Sequence, residues 1–396
     1  MDNTSDRRRL AAVVLAGFSA FLGLHAPQPL LPLLKNLFQV STIRVSMVVT
    51  VSTAAVALSA PLVGMLADRW GRRKIIIPAA LLLSLPSGLA ATSATFGQLL
   101  FWRFWQGAFT PGVSASTVAY ITEEWKEGAG AAMSAFVAGT VLGGFAGRTL
   151  AAIVAAHNSW REAFLLLGVL NLAGGVAIWA WLPHDRKPRT AQTHSGIIGV
   201  ILSHLRNPGL LATYAVGFCV LFTMIATFTY INFRLADPPF RWGTTALGLL
   251  FSVYLVAAIF TMTGGRWIDR FGHRTALIAA LLISTTGILL TLPDSASAVI
   301  VGLTLCCSGA FVAQAAANSY IGLAAKHGRA AAVGLYVTSY YVGGSFGGAL
   351  PGYFWNDGGW PACVASIAIV QAVTILLVGW LWKSKVARPK HVASLQ

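Results

Sequence analysis

The stretch Gly64–Lys74, GMLADRWGRRK, concentrates charge between two apolar runs, MVVTVSTAAVALSAPLVG before it and IIIPAALLLSLPSGLAA after it. Its skeleton returns in Gly265–Arg274, GRWIDRFGHR: glycine, three residues, Asp-Arg, one residue, glycine, one residue, arginine. A charged loop that recurs at matched places in an apolar chain points to a unit built twice.

Of the 396 residues, 56% are hydrophobic and 10% charged, against about 25% charged in an average soluble domain. A soluble core cannot absorb that much apolar surface, so lipid is the solvent for most of the chain. A bilayer-spanning helix needs about 20 apolar residues. Such runs occur at 10–34, 45–65, 75–93, 97–121, 130–156, 161–182, 210–233, 244–263, 275–292, 296–324, 330–354 and 361–382. The first follows Arg7, Arg8 and Arg9 and is too long and too polar-tipped for a cleaved signal peptide. The reading is an all-α polytopic membrane protein with twelve transmembrane helices, expected to work as a monomer in the lipid bilayer.

The formal charge of +16 raises the possibility of a nucleic-acid partner, and its distribution argues against one. With the N-terminus inside, most lysines and arginines fall in the cytoplasmic segments. Only Lys35, Arg44, Arg161, Arg234 and Arg241 fall on the other side, while Arg103 and Arg148 lie inside spans. This positive-inside asymmetry predicts both termini in the cytoplasm, at a bacterial inner membrane. Cys219, Cys306, Cys307 and Cys363 all fall within predicted helices. Adjacent Cys306 and Cys307 diverge by about 100° on a helix and are poor disulfide partners, so the four read as small apolar filler.

The repeat extends beyond the loop. Asp68 is answered by Asp269, the cluster Gly143, Gly144 and Gly147 by Gly343, Gly344 and Gly347, and Trp160 by Trp360. The displacement is constant to within one residue, which means a duplicated six-helix unit. Six is even, so both units enter from one side and are related by an axis along the membrane normal. The expected domains are an N-terminal bundle at 1–183, a linker at 184–209 and a C-terminal bundle at 210–396. In the linker, a basic flexible half precedes Ile197, Ile198, Ile201, Leu202 and Leu205 on one helical face, which predicts a short helix on the membrane surface.

Twelve helices in two repeats, with this glycine- and arginine-rich loop between the second and third, resemble the major facilitator superfamily of secondary transporters. Arg103-Phe-Trp-Gln106-Gly107 and Gly139-x-x-x-Gly143-Gly144-x-x-Gly147 agree, although the antiporter pattern has proline where Gly144 stands. FTYINFRL at Phe228–Leu235 and SYYVGGSFGG at Ser339–Gly348 are similar to the YnfM-type (acriflavine-sensitivity) subgroup of efflux proteins. The resemblance implies alternating access around a cavity lined by the first, fourth, seventh and tenth helices. It implies gates at Gly64, Asp68, Arg69, Gly71 and Arg72 and at their counterparts Gly265, Asp269, Arg270 and Gly272. Asp68 is then expected to face the start of the eleventh helix near Arg329 and Ala330, where the helix dipole favours an anion. Asp269 is expected to mirror it near Gly130. Asp68, Arg72 and Glu123, or Glu124 beside it, are expected to form a charge relay.

None of the 12 acidic residues lies mid-membrane; the intramembrane ionisable groups are His25, Arg103 and Arg148. A charge at a helix centre costs about 2.5–3.5 kcal/mol on insertion scales, which makes each a functional candidate. Arg103 either presents its charge to substrate or bonds carbonyls freed around Pro27 and Pro29. His25 either carries protons or sits as a neutral ring on one carbonyl. Arg148 follows the glycine cluster that is expected to let the fifth and eighth helices slide, and reads as a gate or scaffold residue. Predicted substrate contacts are His25, Gln28, Arg103, Gln106, Tyr230, Asn232, Gln314 and Asn318; predicted proton carriers are His25, Asp68 and Glu123. No nucleotide loop, metal-ligand spacing, nucleophile elbow or carboxylate pair appears, so no enzyme, cofactor or metal is expected. The expected function is proton-coupled export of small organic compounds, drug or sugar-like. The alternatives are an organic-anion transporter using Arg103 and His25, and a non-transporting receptor or scaffold.

Overall fold

The computed structural model describes residues 3–125, 128–183, 197–325 and 327–382, without side chains at 3–6, 197–198, 262–266, 269 and 330. The basic half of the linker lies outside the described residues. The first six spans are α1 (Asn3–Leu22), continuing after a break into α2 (Leu31–Phe38); α3 (Thr42–Trp70); α4 (Arg72–Leu82) with α5 (Ser84–Leu89); α6 (Phe96–Glu124); α7 (Ala129–His157); and α8 (Trp160–Trp181). The short α9 (Ile197–Leu205) precedes α10 (Pro208–Ala236), α11 (Thr244–Leu249) with α12 (Val253–Phe271), α13 (His273–Leu289), α14 (Ala296–Ala324) and α15 (Arg329–Leu381). The last is two spans that meet at Gly359, a non-helical glycine at φ 56°. Eight helical runs, the double α15 among them, are long and apolar enough to cross a membrane. The others are the broken α1–α2, α6 with its buried Arg103, and the 17-residue α13.

The duplication is visible in how the helices start. Gly71 and Gly272 hold the same turn between successive spans, at φ 98° and 81°. Gly128 and Gly328 open α7 and α15 at φ 77° and 57°, a region that glycine enters without a side-chain clash. Thr95 and Ser295 each accept a backbone N–H at the start of α6 and α14, which satisfies a donor that the helix leaves unpaired.

Within each half, glycines lock two helices together. A Cβ at Gly143 would lie 2.2 Å from the Phe18 carbonyl, and one at Gly147 would lie 1.7 Å from that of Leu22. Gly343 and Gly347 repeat the arrangement against Phe218 and Phe222 at 2.1 and 2.5 Å. This corrects the expectation that the cluster faces the eighth span: Gly143 and Gly147 bind α7 to α1 inside one half. The fifth and eighth spans meet elsewhere, at Gly248, where a Cβ would be 2.2 Å from that of Ala152.

The two halves touch at one end. The Tyr230 hydroxyl on α10 donates to the Gly348 carbonyl at 2.7 Å and lies 3.2 Å from Ser46 Oγ on α3. Ser345 Oγ donates to Thr53 Oγ1 at 3.3 Å, and Thr149 Oγ1 to the Gly248 carbonyl at 3.2 Å. These contacts lie in the part of the bundle away from the termini. Toward the termini, Gly64 on α3, Gly130 on α7 and Gly334 on α15 have no atom within 4 Å of where a Cβ would stand. The result is a cleft closed at the far end and open on the side of the termini. The amphipathic α9 flanks the opening, with Leu202 and Leu205 exposed and His204 Nε2 3.2 Å from the Gly328 carbonyl at the start of α15.

Candidate functional site

The cleft is organised by the break in the first span, whose sequence is GLHAPQPL at 23–30. Pro27 and Pro29 have no N–H to return to the carbonyls four residues earlier. Gln28 N donates to the His25 carbonyl instead, which leaves that of Leu24 free. Arg103 on α6 fills the gap. Its Nη1 donates to the Gly23 carbonyl at 3.0 Å, its Nη2 to that of Leu24, and its Nε to that of Val48 on α3 at 3.1 Å. Gln106 Oε1 also accepts from Nη1, and Gln106 Nε2 passes the chain on to Ser87 Oγ at 2.8 Å. Arg103 is fully buried. Its guanidinium thus braces three helices with neutral carbonyls, which corrects the expectation that it presents charge to a substrate. Gln106 belongs to the same brace.

Arg148 is placed differently. Its Nε donates to Gln28 Oε1 at 2.8 Å and its Nη1 to the Gly144 carbonyl at 2.8 Å. Gln28 Nε2 then reaches Thr229 Oγ1 on α10 at 3.4 Å, which links the halves. The guanidinium carbon lies 4.7 Å from the Phe251 ring centroid and 5.0 Å from that of Tyr254, both in the eighth span. His25, 5% exposed, lies within electrostatic reach of Arg148 and Arg103, and its Nε2 has no hydrogen-bond partner. Phe251, Tyr254 and Thr229 were not legible as site residues. The available signals were the i, i+3 aromatic spacing and an intramembrane arginine whose repeat counterpart is Gly348.

The other candidates disperse. Tyr230 belongs to the closed end. Asn232 is buried on α10 with Nδ2 on the Phe228 carbonyl and Oδ1 unpartnered. Gln314 is half-buried beside Tyr340, and Asn318 is exposed near the open end of α14.

At the open end the structure brings Asp68, Arg72 and Glu123 together. Arg72 Nη2 contacts Asp68 Oδ1 and donates to Glu123 Oε1 at 2.9 Å, and its Nε lies 3.3 Å from Glu123 Oε2. The contact of Asp68 with the start of α15 is not made. Its side chain is 46% exposed, and the Arg329 guanidinium lies over Gly322 of α14. Arg69 and Arg270 are exposed. Gly265 and Asp269 are described by backbone only, within α12, so the contact expected of Asp269 lies outside the described residues. In the second repeat His273 stands where Arg72 does, with Nε2 3.0 Å from Ser319 Oγ.

Comparison with known proteins agrees with this architecture. The family model of the Major Facilitator Superfamily matches residues 13–238 and 238–395. The MFS-type transporter YybF of Bacillus subtilis is 30% identical over 380 residues, covering 96% of this chain and 94% of that protein. The inner membrane transport protein YnfM of Escherichia coli is 30% identical over 369 residues, covering 92% and 88%. Among solved structures, a bacterial homologue of the human lysosomal transporter Spinster, inward-facing and occupied, superposes with a TM-score of 0.75 at 15% identity over 96% of this chain and 95% of that one. The nucleoside transporter NupG gives 0.74 at 13% identity over 94% and 100%.

Proposed function

The chain belongs to the Major Facilitator Superfamily, and from that premise we propose that it is a proton-coupled secondary transporter that exports small organic compounds by alternating access. It is a multi-pass membrane protein of a transporter family rather than an enzyme. The observation that carries the proposal is the one-ended contact between the halves. With the basic segments facing the cytoplasm, the opening on the side of the termini makes this the inward-open state. The Spinster homologue that it resembles was solved inward-facing, which supports the same assignment. The closed end relies on few polar contacts between the halves, such as Ser345 to Thr53 and Thr149 to the Gly248 carbonyl. Each contributes about 0.5–1.5 kcal/mol net, a set small enough to exchange for another during rocking. Asp68 then meets the start of α15 only in the opposite state.

Protons have two candidate carriers: His25 beside the broken span, and the Asp68–Arg72–Glu123 cluster at the opening. Reconstitution in liposomes with an imposed pH gradient tests the reading. Gradient-dependent accumulation of an organic compound, abolished by a protonophore, is the expected result. Flux that ignores the gradient for fluorescent cations and radiolabelled organic anions alike contradicts it.

A second reading, transport of an organic anion, is favoured by one observation. The Arg148 guanidinium lies between the halves, and no carboxylate contacts it among the described residues.

A further inference from the structure

We propose that Arg148 is the anion-recognising residue of the cleft, and that its free guanidinium edge takes the carboxylate of an organic substrate. The inference rests on the organic-anion reading above and names the site that performs it. The two buried arginines provide an internal comparison. Arg103 donates from all three nitrogens to four acceptors and is fully buried. Arg148 uses one N–H of Nε and one of Nη1, and Nη2 donates to no described atom. The edge formed by Nη1 and Nη2 therefore keeps a two-donor fork, which matches the two oxygens of a carboxylate. The guanidinium carbon lies over the Phe251 and Tyr254 rings, 4.7 and 5.0 Å from their centroids, which anchors it beside the eighth span. Beside that edge there is room, because the only atom within 4 Å of a Cβ built on Gly144 is Arg148 Nη1.

A second observation points the same way. His25 Nε2, on a side chain nine-tenths buried, has no partner, and the His25 carbonyl accepts from the N–H of Gln28, whose side chain holds Arg148. A buried polar atom without a partner is rare in a finished interior. Here an unpartnered ring nitrogen and an unsaturated guanidinium share one region of the cleft. A buried charge ordinarily has a paired counter-charge, and among the described residues no carboxylate contacts Arg148. A bound carboxylate supplies it. Arg148 also holds Gln28, whose Nε2 reaches Thr229 across the halves, so the ligand edge and the closed end share one side chain.

The test uses the purified full-length chain in detergent and follows its thermal unfolding during ligand titration. The probes are salicylate, 1-naphthoate, indole-3-acetate and hexanoate, each against its uncharged amide. The expected result is that the wild type prefers at least one carboxylate over its amide by about ten- to a hundredfold, the range of a charge-assisted hydrogen-bonded contact. Arg148→Gln should bind acid and amide alike, and its ligand-free unfolding midpoint should equal or exceed that of the wild type, because it removes an uncompensated buried charge. Arg148→Lys, which keeps the charge without the fork, should fold and retain only part of the preference. A wild type without preference for any carboxylate overturns the proposal and the organic-anion reading together. A preference that survives in Arg148→Gln overturns the proposal alone. An Arg148→Gln protein with a markedly lowered midpoint also overturns it, since that marks a saturated scaffold arginine.

Discussion

Arg103 and Arg148 carry the same side chain into the same cleft, and their neighbours divide the labour between them. Carbonyls of the broken first span surround Arg103, whereas aromatic rings, one amide and the Gly144 carbonyl surround Arg148. Replacing Arg103 leaves the Leu24 carbonyl buried without a donor and takes a second donor from those of Gly23 and Val48, and each lost buried bond costs about 1–3 kcal/mol. Arg103→Gln is therefore expected to destabilise the protein by about 3 kcal/mol or more, read as a fall in the thermal unfolding midpoint in detergent. Arg103→Lys should recover only part of it, because one ammonium cannot reach carbonyls on two helices with the geometry of a fork. An unchanged midpoint in both variants would remove the brace. His25 raises a separate question, that of coupling. His25→Gln preserves a polar side chain and removes a proton carrier, so gradient-driven accumulation should be lost while counterflow exchange persists. Accumulation at the wild-type rate would assign the proton to the Asp68–Arg72–Glu123 cluster.

At the scale of elements, small residues decide which helices are permanent partners. The packing of α7 on α1 at Gly143 and Gly147 leaves no room for a methyl group, and overpacking costs about 1–3 kcal/mol. Gly147→Ala is expected to fall in or above that range and to lower the yield of folded protein. Gly334→Ala, facing open space, should be neutral within about 0.5 kcal/mol. Equal unfolding midpoints for the two variants would contradict the assignment. The sequence makes some of this visible and hides the rest, for physical reasons. The repeat could be read because a turn at positive φ demands glycine, so Gly71 and Gly272 had to recur. The break in the first span could be read because proline removes a donor. The partner of the glycine stripe could not: a stripe of small residues defines a face of α7, and helical periodicity does not say which neighbour fills it. For the same reason Arg103 and Arg148 could be found as intramembrane charges, but the sequence offered Arg103 for the substrate and Arg148 for a gate or scaffold and could not show what surrounds either. Their roles depend on the carbonyls of α1 and α3 and the rings of the eighth span, all distant in sequence.

For the whole molecule, the proposed alternating access has two six-helix halves rock about a central cleft, with this structure as one of the two end states. In this state Asp68 is half-exposed and paired with Arg72, so Asp68→Asn should change its stability by less than about 1 kcal/mol. It should slow turnover more than it alters apparent affinity, because the contact proposed for Asp68 at the start of α15 belongs to the other state. Normal turnover in liposomes would contradict that. Tyr230→Phe removes the hydroxyl that bonds Gly348 within its own half and meets Ser46 of the other half at 3.2 Å, and the lost Ser46 contact is expected to shift the equilibrium toward the outward-open form by about 0.5–1 kcal/mol. The central claim is tested most directly by spin-label distances in nanodiscs, with one pair at each end of the cleft. Labels on Gly64→Cys and Gly334→Cys report the open end, and labels on Asn36→Cys and Asp357→Cys report the closed end. Without substrate, the first pair is expected to be far apart and the second close. With a transported compound and low external pH, a second population should appear in which the first pair has closed and the second has opened. Distances that stay fixed at both ends under every condition, or that widen and narrow together, would contradict alternating access in this protein.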